Sequence, residues 1–191
     1  MSIKLTTGSR IAETSSKGNQ EKWLADGRWY KLDLFGYEGL AETVTSALLA
    51  QTNTGALGFR YVTYRMERLE VHDHTRNGCS SANFLRQGEA ILTIAELLRK
   101  GVGPDWQTAV NRLPNLQSRL AWLVEQVERL TGLDRFGTYL TLLFEVDMLF
   151  GNEDRHLNNI AVLRCGDGFD YCPIFDFGAG LLSNTRDYPM E

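Results

Sequence analysis

GNEDRHLNNIAVL (residues 151–163), followed closely by YCPIFDFGAG (171–180), is the stretch whose reading decides the fold. The apolar run before it, Asp134–Phe150, predicts a helix. The apolar runs Ile160–Leu163 and Phe169–Phe175, with Gly166-Asp167-Gly168 between them, predict a hairpin. Asp154 is therefore expected on a loop between two rigid elements, with Asn159 five residues on and Asp176 just past the hairpin. A hairpin brings its two ends together, so Asn159 and Asp176 are expected to share a metal. Both offer the hard oxygen ligands that magnesium prefers.

Outward from this segment, the chain has two characters. Gln20–Ala25 and Arg28–Phe35 flank Asp26-Gly27, a strong two-residue hairpin signal. Tyr37–Gln51 repeats Leu40, Val44, Ala47 and Leu48 at helical spacing. Phe59–Val71 reads as one or two strands, His72–Ser81 as a polar loop, and Ser81–Leu85 as a further short strand. After about Gly88 the pattern turns helical: Glu89–Lys100, closed by Gly101, then Leu116–Leu130, then Asp134–Phe150. The expectation is an α+β chain of two lobes, a β-rich N-lobe over 1–88 and a mainly helical C-lobe over 89–191.

Period-two alternation puts Trp29, Lys31 and Asp33 on one face of the second hairpin strand. The polar loop Ser15-Ser16-Lys17-Gly18-Asn19 leads into the first strand. Such a loop can lie over phosphates and donate backbone N–H groups, leaving Lys31 to reach them as a cation. A carboxylate on the following helix, Glu38 or Glu42, is expected to pair with Lys31, with Glu42 favoured because it lies deeper in the helix. His156 is expected to brace its loop by hydrogen bonds, and Asp147 to cap or pair within its own lobe.

Composition narrows the classes. The formal net charge is -4, and no Lys/Arg run gives a basic face for nucleic acid. Three cysteines, Cys79, Cys165 and Cys172, with no close CxxC, predict neither a disulfide framework nor a zinc site and suit a reduced cytoplasmic setting. The most apolar run, Leu140–Phe150, is too short and too charged to span a bilayer, and it reads as a buried helix.

A D-x-x-x-x-N loop, a hairpin and then DFG is the layout of a kinase catalytic loop and metal-binding segment. Together, SSKGNQEK (15–22), YKLD around Lys31, GNEDRHLNN (151–159) and PIFDFGAG (173–180) resemble the HipA-like serine/threonine kinases, toxin components of bacterial toxin–antitoxin pairs and related standalone kinases. The resemblance implies an ATP- and magnesium-dependent protein kinase of a bacterial cytoplasm. It implies Asp154 as catalytic base, Asn159 and Asp176 as magnesium ligands, Lys31 as the ATP lysine, and Ser16, Lys17, Gly18 and Asn19 around the nucleotide. Its partners would be a protein substrate and an antitoxin, with no direct nucleic-acid or membrane contact.

HipA-like toxins are switched off by phosphorylation of a serine in the loop before Lys31. Ser15 aligns with that serine, and Ser16 is its neighbour. Family members continue beyond the DFG segment with a further helical region, whereas Glu191 comes fifteen residues after Asp176, so a shortened C-lobe is expected. Two alternatives stay open. Lipid and small-molecule kinases also carry a D-R-H-x-x-N loop before DFG, and a non-catalytic nucleotide-binding module would fit a short lower lobe.

Overall fold

The Asp26-Gly27 hairpin forms as the turn chemistry dictates. The computed structural model describes residues 3–4, 10–11 and 22–189, and in it Asp26 and Gly27 have φ of 50° and 70°. That pair of positive φ values is the primed turn that matches strand twist. Short strands β1 (Ile3–Lys4) and β2 (Arg10–Ile11) precede the hairpin strands β3 (Lys22–Ala25) and β4 (Arg28–Leu32). Helix α1 (Glu38–Leu49) and a 3-10 turn (Thr54–Leu57) lead to β5 (Tyr64–Val71) and β6 (His74–Ala82). These strands make one sheet in the order β1-β5-β6-β4-β3-β2, antiparallel except for the β1–β5 pair. Ser15, Ser16, Lys17, Gly18 and Asn19 lie outside the described residues.

The chain divides into two compact units. The first comprises Met1–Phe84, Val146–Asp154 and Pro173–Glu191; the second comprises Leu85–Glu145 and Arg155–Cys172. In the first, Trp23, Tyr30, Leu32, Leu69 and Val71 form a buried cluster on one sheet face. Each such side chain contributes about 1.5–3 kcal/mol by leaving water. By alternation, Lys31 points to the opposite face, together with its cross-strand partner Cys79.

One glycine lets α1 lie close to the sheet and a second lets two strands of the sheet meet. A Cβ on Gly39 would stand 2.7 Å from the backbone of Gly78, and one on Gly78 would stand 2.1 Å from the Lys31 carbonyl oxygen. The bare backbone at Gly39 permits the approach of α1, which brings the next helical turn, with Glu42, alongside Lys31, while the one at Gly78 lets β6 lie against β4.

The second unit carries β7 (Glu89–Thr93), α2 (Ile94–Gly101), α3 (Trp106–Asn111), α4 (Leu116–Thr131), most of α5 (Phe136–Phe150), β8 (Ala161–Cys165) and β9 (Gly168–Tyr171). Its sheet runs β7-β8-β9, antiparallel throughout. Ile94, Leu98, Val127, Phe136, Leu143 and Ile160–Leu163 make its core. Thr93 caps α2 by accepting from the Glu96 N–H at 3.2 Å, and Gly132 ends α4 in the left-handed region.

Three expectations need correction. The polar loop over His72–Ser81 is mostly strand: His72 and Asp73 turn with φ of 50° and 61°, and β6 then pairs on both sides. Glu89–Thr93 is strand rather than helix, pairing residue for residue with β8 before α2 starts. Helix α5 is only partly buried, with Leu140, Leu143, Val146 and Phe150 inside but Met148 (81% exposed) and Leu149 (69%) outside. No helix of the described residues is long and apolar enough to cross a membrane.

Candidate active site

Lys31 lies in β4 between two neighbouring strands, opposite Cys79 of β6 on one side and Lys22 of β3 on the other. Its side chain is buried and meets two acids. Nζ lies 2.6 Å from Glu42 Oε1 and 2.8 Å from Asp176 Oδ1. It also stands 5.3 Å from the centroid of the Tyr64 ring, within cation–π range.

Spacing along α1 left two carboxylates as partners, and the geometry separates them. Glu42 pairs with Lys31. Glu38 folds back instead, accepting the N–H groups of Leu34, Phe35 and Gly36 at 2.6–3.2 Å. It thereby satisfies the turn that enters the helix.

Glu42 uses both oxygens. Oε2 accepts the Phe177 N–H at 2.9 Å while Oε1 holds Lys31. Phe177 is buried (1% exposed) and meets the Tyr64 ring edge-on, with centroids 6.3 Å apart. Asp176 thus lies between a clamped lysine and a clamped phenylalanine. Its φ is 67°, a left-handed conformation that non-glycine residues seldom adopt, and surrounding contacts must hold it there. Two residues upstream, Ile174 exchanges backbone hydrogen bonds with Arg60 and Val62 at 2.8 Å each. Downstream, Gly36 bridges to Asn184, and Tyr37 N–H donates to the Ser183 carbonyl at 3.1 Å.

The electrostatics follow from two acids and one ammonium in a buried place. Burial by itself would lower the Lys31 pKa, but Asp176 and then Glu42 outweigh it and hold it well above the ordinary value. Lys31 is therefore cationic throughout the neutral range. Burial raises the Glu42 carboxyl, with Lys31 pulling the other way and Asp176 adding to the rise. Lys31 favours ionised neighbours, yet one ammonium cannot neutralise both, so the more deeply buried acid is pushed up. Burial also raises the Tyr64 phenol and the Cys79 thiol, which stay neutral.

Asp154 is exposed on the loop after α5 and belongs to the first unit. Beside it, Glu153 accepts a 2.7 Å hydrogen bond from the Tyr188 hydroxyl. Asp147 is buried near the end of α5, and its Oδ1 accepts from Asn152 Nδ2 at 2.7 Å. The second Nδ2 hydrogen reaches the Asp176 carbonyl at 3.2 Å.

Asn159 and His156 belong to the second unit. There the loop is tied to itself. Asn158 N–H donates to His156 Nδ1 at 3.3 Å, Asn159 N–H to the His156 carbonyl at 2.8 Å, and Arg155 to the Asn159 carbonyl at 2.9 Å. Tyr64 and Asn152 were not among the residues singled out from sequence. Their contacts join positions 112 and 24 residues apart, which no local pattern encodes.

Among the described residues, no group of three or more His, Cys, Asp or Glu converges to hold a metal unaided. A magnesium ion delivered on nucleotide phosphates asks less, needing one or two protein carboxylates while phosphates and water complete its shell. Asp176 fits that demand. It is a hard oxygen donor whose side chain keeps 21% of its surface exposed, against 2% for Glu42.

No family model matches the sequence, and no curated protein matches it. Among solved structures, the chain is similar to the crystal structure of a Helicobacter pylori proinflammatory kinase, CtkA, with a TM-score of 0.66 at 16% sequence identity. The match covers 98% of this chain and 64% of that one, so the chain spans under two thirds of its length. At that identity the likeness speaks for the fold alone: mixed α/β and kinase-like.

Proposed function

We propose that the chain is an ATP- and magnesium-dependent phosphotransferase, a HipA-like kinase of serine or threonine in a protein substrate. The observation that carries the reading is the buried cluster in which Lys31 is held by Glu42 and Asp176 while Glu42 also takes the Phe177 N–H. A cation clamped by a helix carboxylate next to a DFG aspartate is the equipment of phosphoryl transfer.

In this reading Lys31 binds the α/β-phosphates and Glu42 orients it. Asp176 and Asn159 are the magnesium ligands, the latter from sequence order alone. When bound, magnesium neutralises phosphate charge. Asp154 takes the proton of the acceptor hydroxyl as its oxygen bonds to the γ-phosphorus and ADP leaves. Ser16, Lys17, Gly18 and Asn19 cover the nucleotide. The N-lobe and C-lobe division at residue 88, the bacterial cytoplasmic setting, a toxin role and an antitoxin partner belong to the same proposal and rest on the sequence resemblance.

A lipid or small-molecule acceptor is a second reading, favoured by Asp154-Arg155-His156-Leu157-Asn158-Asn159. Labelled ATP offered to the chain with protein, then lipid, acceptors tests both. Phosphate on protein serine or threonine, lost in Asp154→Ala and Asp176→Ala with thermal midpoints kept, is the expected result. Transfer that survives Asp154→Ala would remove the assigned base. Label entering lipid only would select the second reading.

A further inference from the structure

We propose that Asn152 is a positioning residue that fixes how Asp176 presents its carboxylate, with Asp147 as its anchor. The inference rests on the phosphotransferase reading and adds to it a residue that touches neither nucleotide nor acceptor.

The left-handed backbone at Asp176 has to be held from outside, and its polar groups are taken one by one. The carboxylate meets Lys31, the following N–H meets Glu42, and its own N–H lies 3.5 Å from the Tyr64 hydroxyl. The carbonyl is the remaining handle, and Asn152 takes it. A carbonyl oxygen only accepts, so the nitrogen end of the Asn152 amide must face it. The other Nδ2 hydrogen goes to Asp147, and Oδ1 is left buried with no partner among the described residues. The amide is therefore placed for its two donors at the expense of its acceptor.

The anchor is stiff. Asn152 N–H also donates to the Asp147 carbonyl at 2.8 Å, so the two residues are joined through both backbone and side chain at the end of α5. Leu181 N–H adds a 2.7 Å bond to the Phe150 carbonyl nearby. Few side chains could replace asparagine. Aspartate has no donor at neutral pH, serine has one, and glutamine is a methylene too long. Asn152 lies two residues before Asp154, so one side chain links the loop of the proposed base to the backbone of the proposed metal ligand.

The test titrates MgCl2 against ATP binding by calorimetry, beside ATP binding in EDTA and amide hydrogen exchange over residues 174–178. Wild type, Asn152→Ala, Asn152→Gln, Asp147→Asn and Asp176→Ala are compared. Asn152→Ala and Asn152→Gln should raise the magnesium concentration for half-maximal binding tenfold or more and speed exchange at the Phe177 amide. Binding in EDTA should stay within twofold. Asp147→Asn, whose amide oxygen still accepts, should stay near wild type. If Asp176→Ala loses its magnesium dependence while both Asn152 variants keep the wild-type curve, the positioning role is refuted and the phosphotransferase reading stands. If wild type itself shows no magnesium-dependent binding, both fall. Should Asn152→Ala fail to fold, Asn152→Gln carries the same comparison.

Discussion

Replacing Lys31 by methionine keeps the stem length and deletes the charge, leaving Glu42 and Asp176 side by side without their ammonium. Glu42 bears most of the cost, because its side chain keeps only 2% of its surface exposed whereas Asp176 keeps 21%. Removing one partner of a buried ion pair costs about 3–5 kcal/mol, and partial solvation of Asp176 favours the lower end. For a chain of this size, ~3 kcal/mol lowers the thermal midpoint by roughly 6–12 °C.

The cost should depend on pH, and its sign follows from burial. Glu42 is already raised above 4.5 by desolvation, with Lys31 opposing the rise. Without Lys31 it rises further. A carboxyl whose folded pKa exceeds its unfolded value binds its proton more readily when folded. Stability therefore falls as pH climbs from 4.5 through the folded value, by up to about 1.4 kcal/mol per pH unit. Lys31→Met should fall further below wild type at pH 8.5 than near pH 5. In wild type the Lys31 contribution is fully present below 10.5 and is lost only above it, as pH passes the raised folded pKa. Adding Glu42→Gln to Lys31→Met should restore about 1–3 kcal/mol at pH 8.5, since glutamine resembles the protonated acid and can still accept from Phe177. Urea denaturation of wild type, Lys31→Met and the double variant at pH 5.5 and 8.5 reads this directly. A Lys31→Met penalty that is the same at pH 5.5 and 8.5, with no rescue by Glu42→Gln, would refute the buried-charge argument.

Two further outcomes follow from single positions. Gly78→Ala should cost about 3 kcal/mol or more, because its Cβ would stand 2.1 Å from the Lys31 carbonyl oxygen and β4 and β6 would have to part; urea denaturation at near wild-type stability would contradict that packing. Ser15 or Ser16 should carry phosphate in active protein but not in Asp154→Ala if the segment proposed to cover the nucleotide is a switch, since roughly two negative charges there would oppose the nucleotide's own phosphates. Intact mass and peptide mapping decide this, and unmodified serines in active protein would end the idea of a switch there.

The parts of the fold legible in sequence were those with local causes. Asp26-Gly27 dictates its turn, and the Leu116, Leu120, Leu123, Val127, Leu130 stripe dictates α4. Strand β6 was missed because HTRNGCSSA has neither alternation nor β-branched density. It is a strand because β4 and β5 pair with it on both edges, which is long-range information. In GEAILTIAELL the apolar run suits either structure. The deciding signal was Thr93 with Glu96 three residues on, a cap that starts the helix at Ile94 and leaves Glu89–Thr93 to the sheet. At the site, the order of Asp154, Asn159 and Asp176 could be read, and depth in the helix favoured Glu42 over Glu38, but the other role of Glu38, on the turn before α1, could not be read. Both lie on the first turns of α1, and the close approach of Gly39 to Gly78 is a long-range contact that sets the second of them beside Lys31.

As a stabilising device the Lys31 cluster is poorly built. Apolar side chains of the same volume would avoid the desolvation of three charges, and two acids share one cation. The two acids are also unlike. Glu42 has both oxygens committed, to Lys31 and to the Phe177 N–H, and is sealed from solvent. Asp176 has a bond to Lys31 and a side chain that solvent still reaches. A ligand bringing its own cation and its own phosphates could exchange with Asp176 on both counts, phosphate taking Lys31 and the cation taking the carboxylate, without disturbing Glu42. That division, one acid to hold the lysine and one to give it up, is what the proposed reaction asks of this cluster and what a purely structural ion pair would not need.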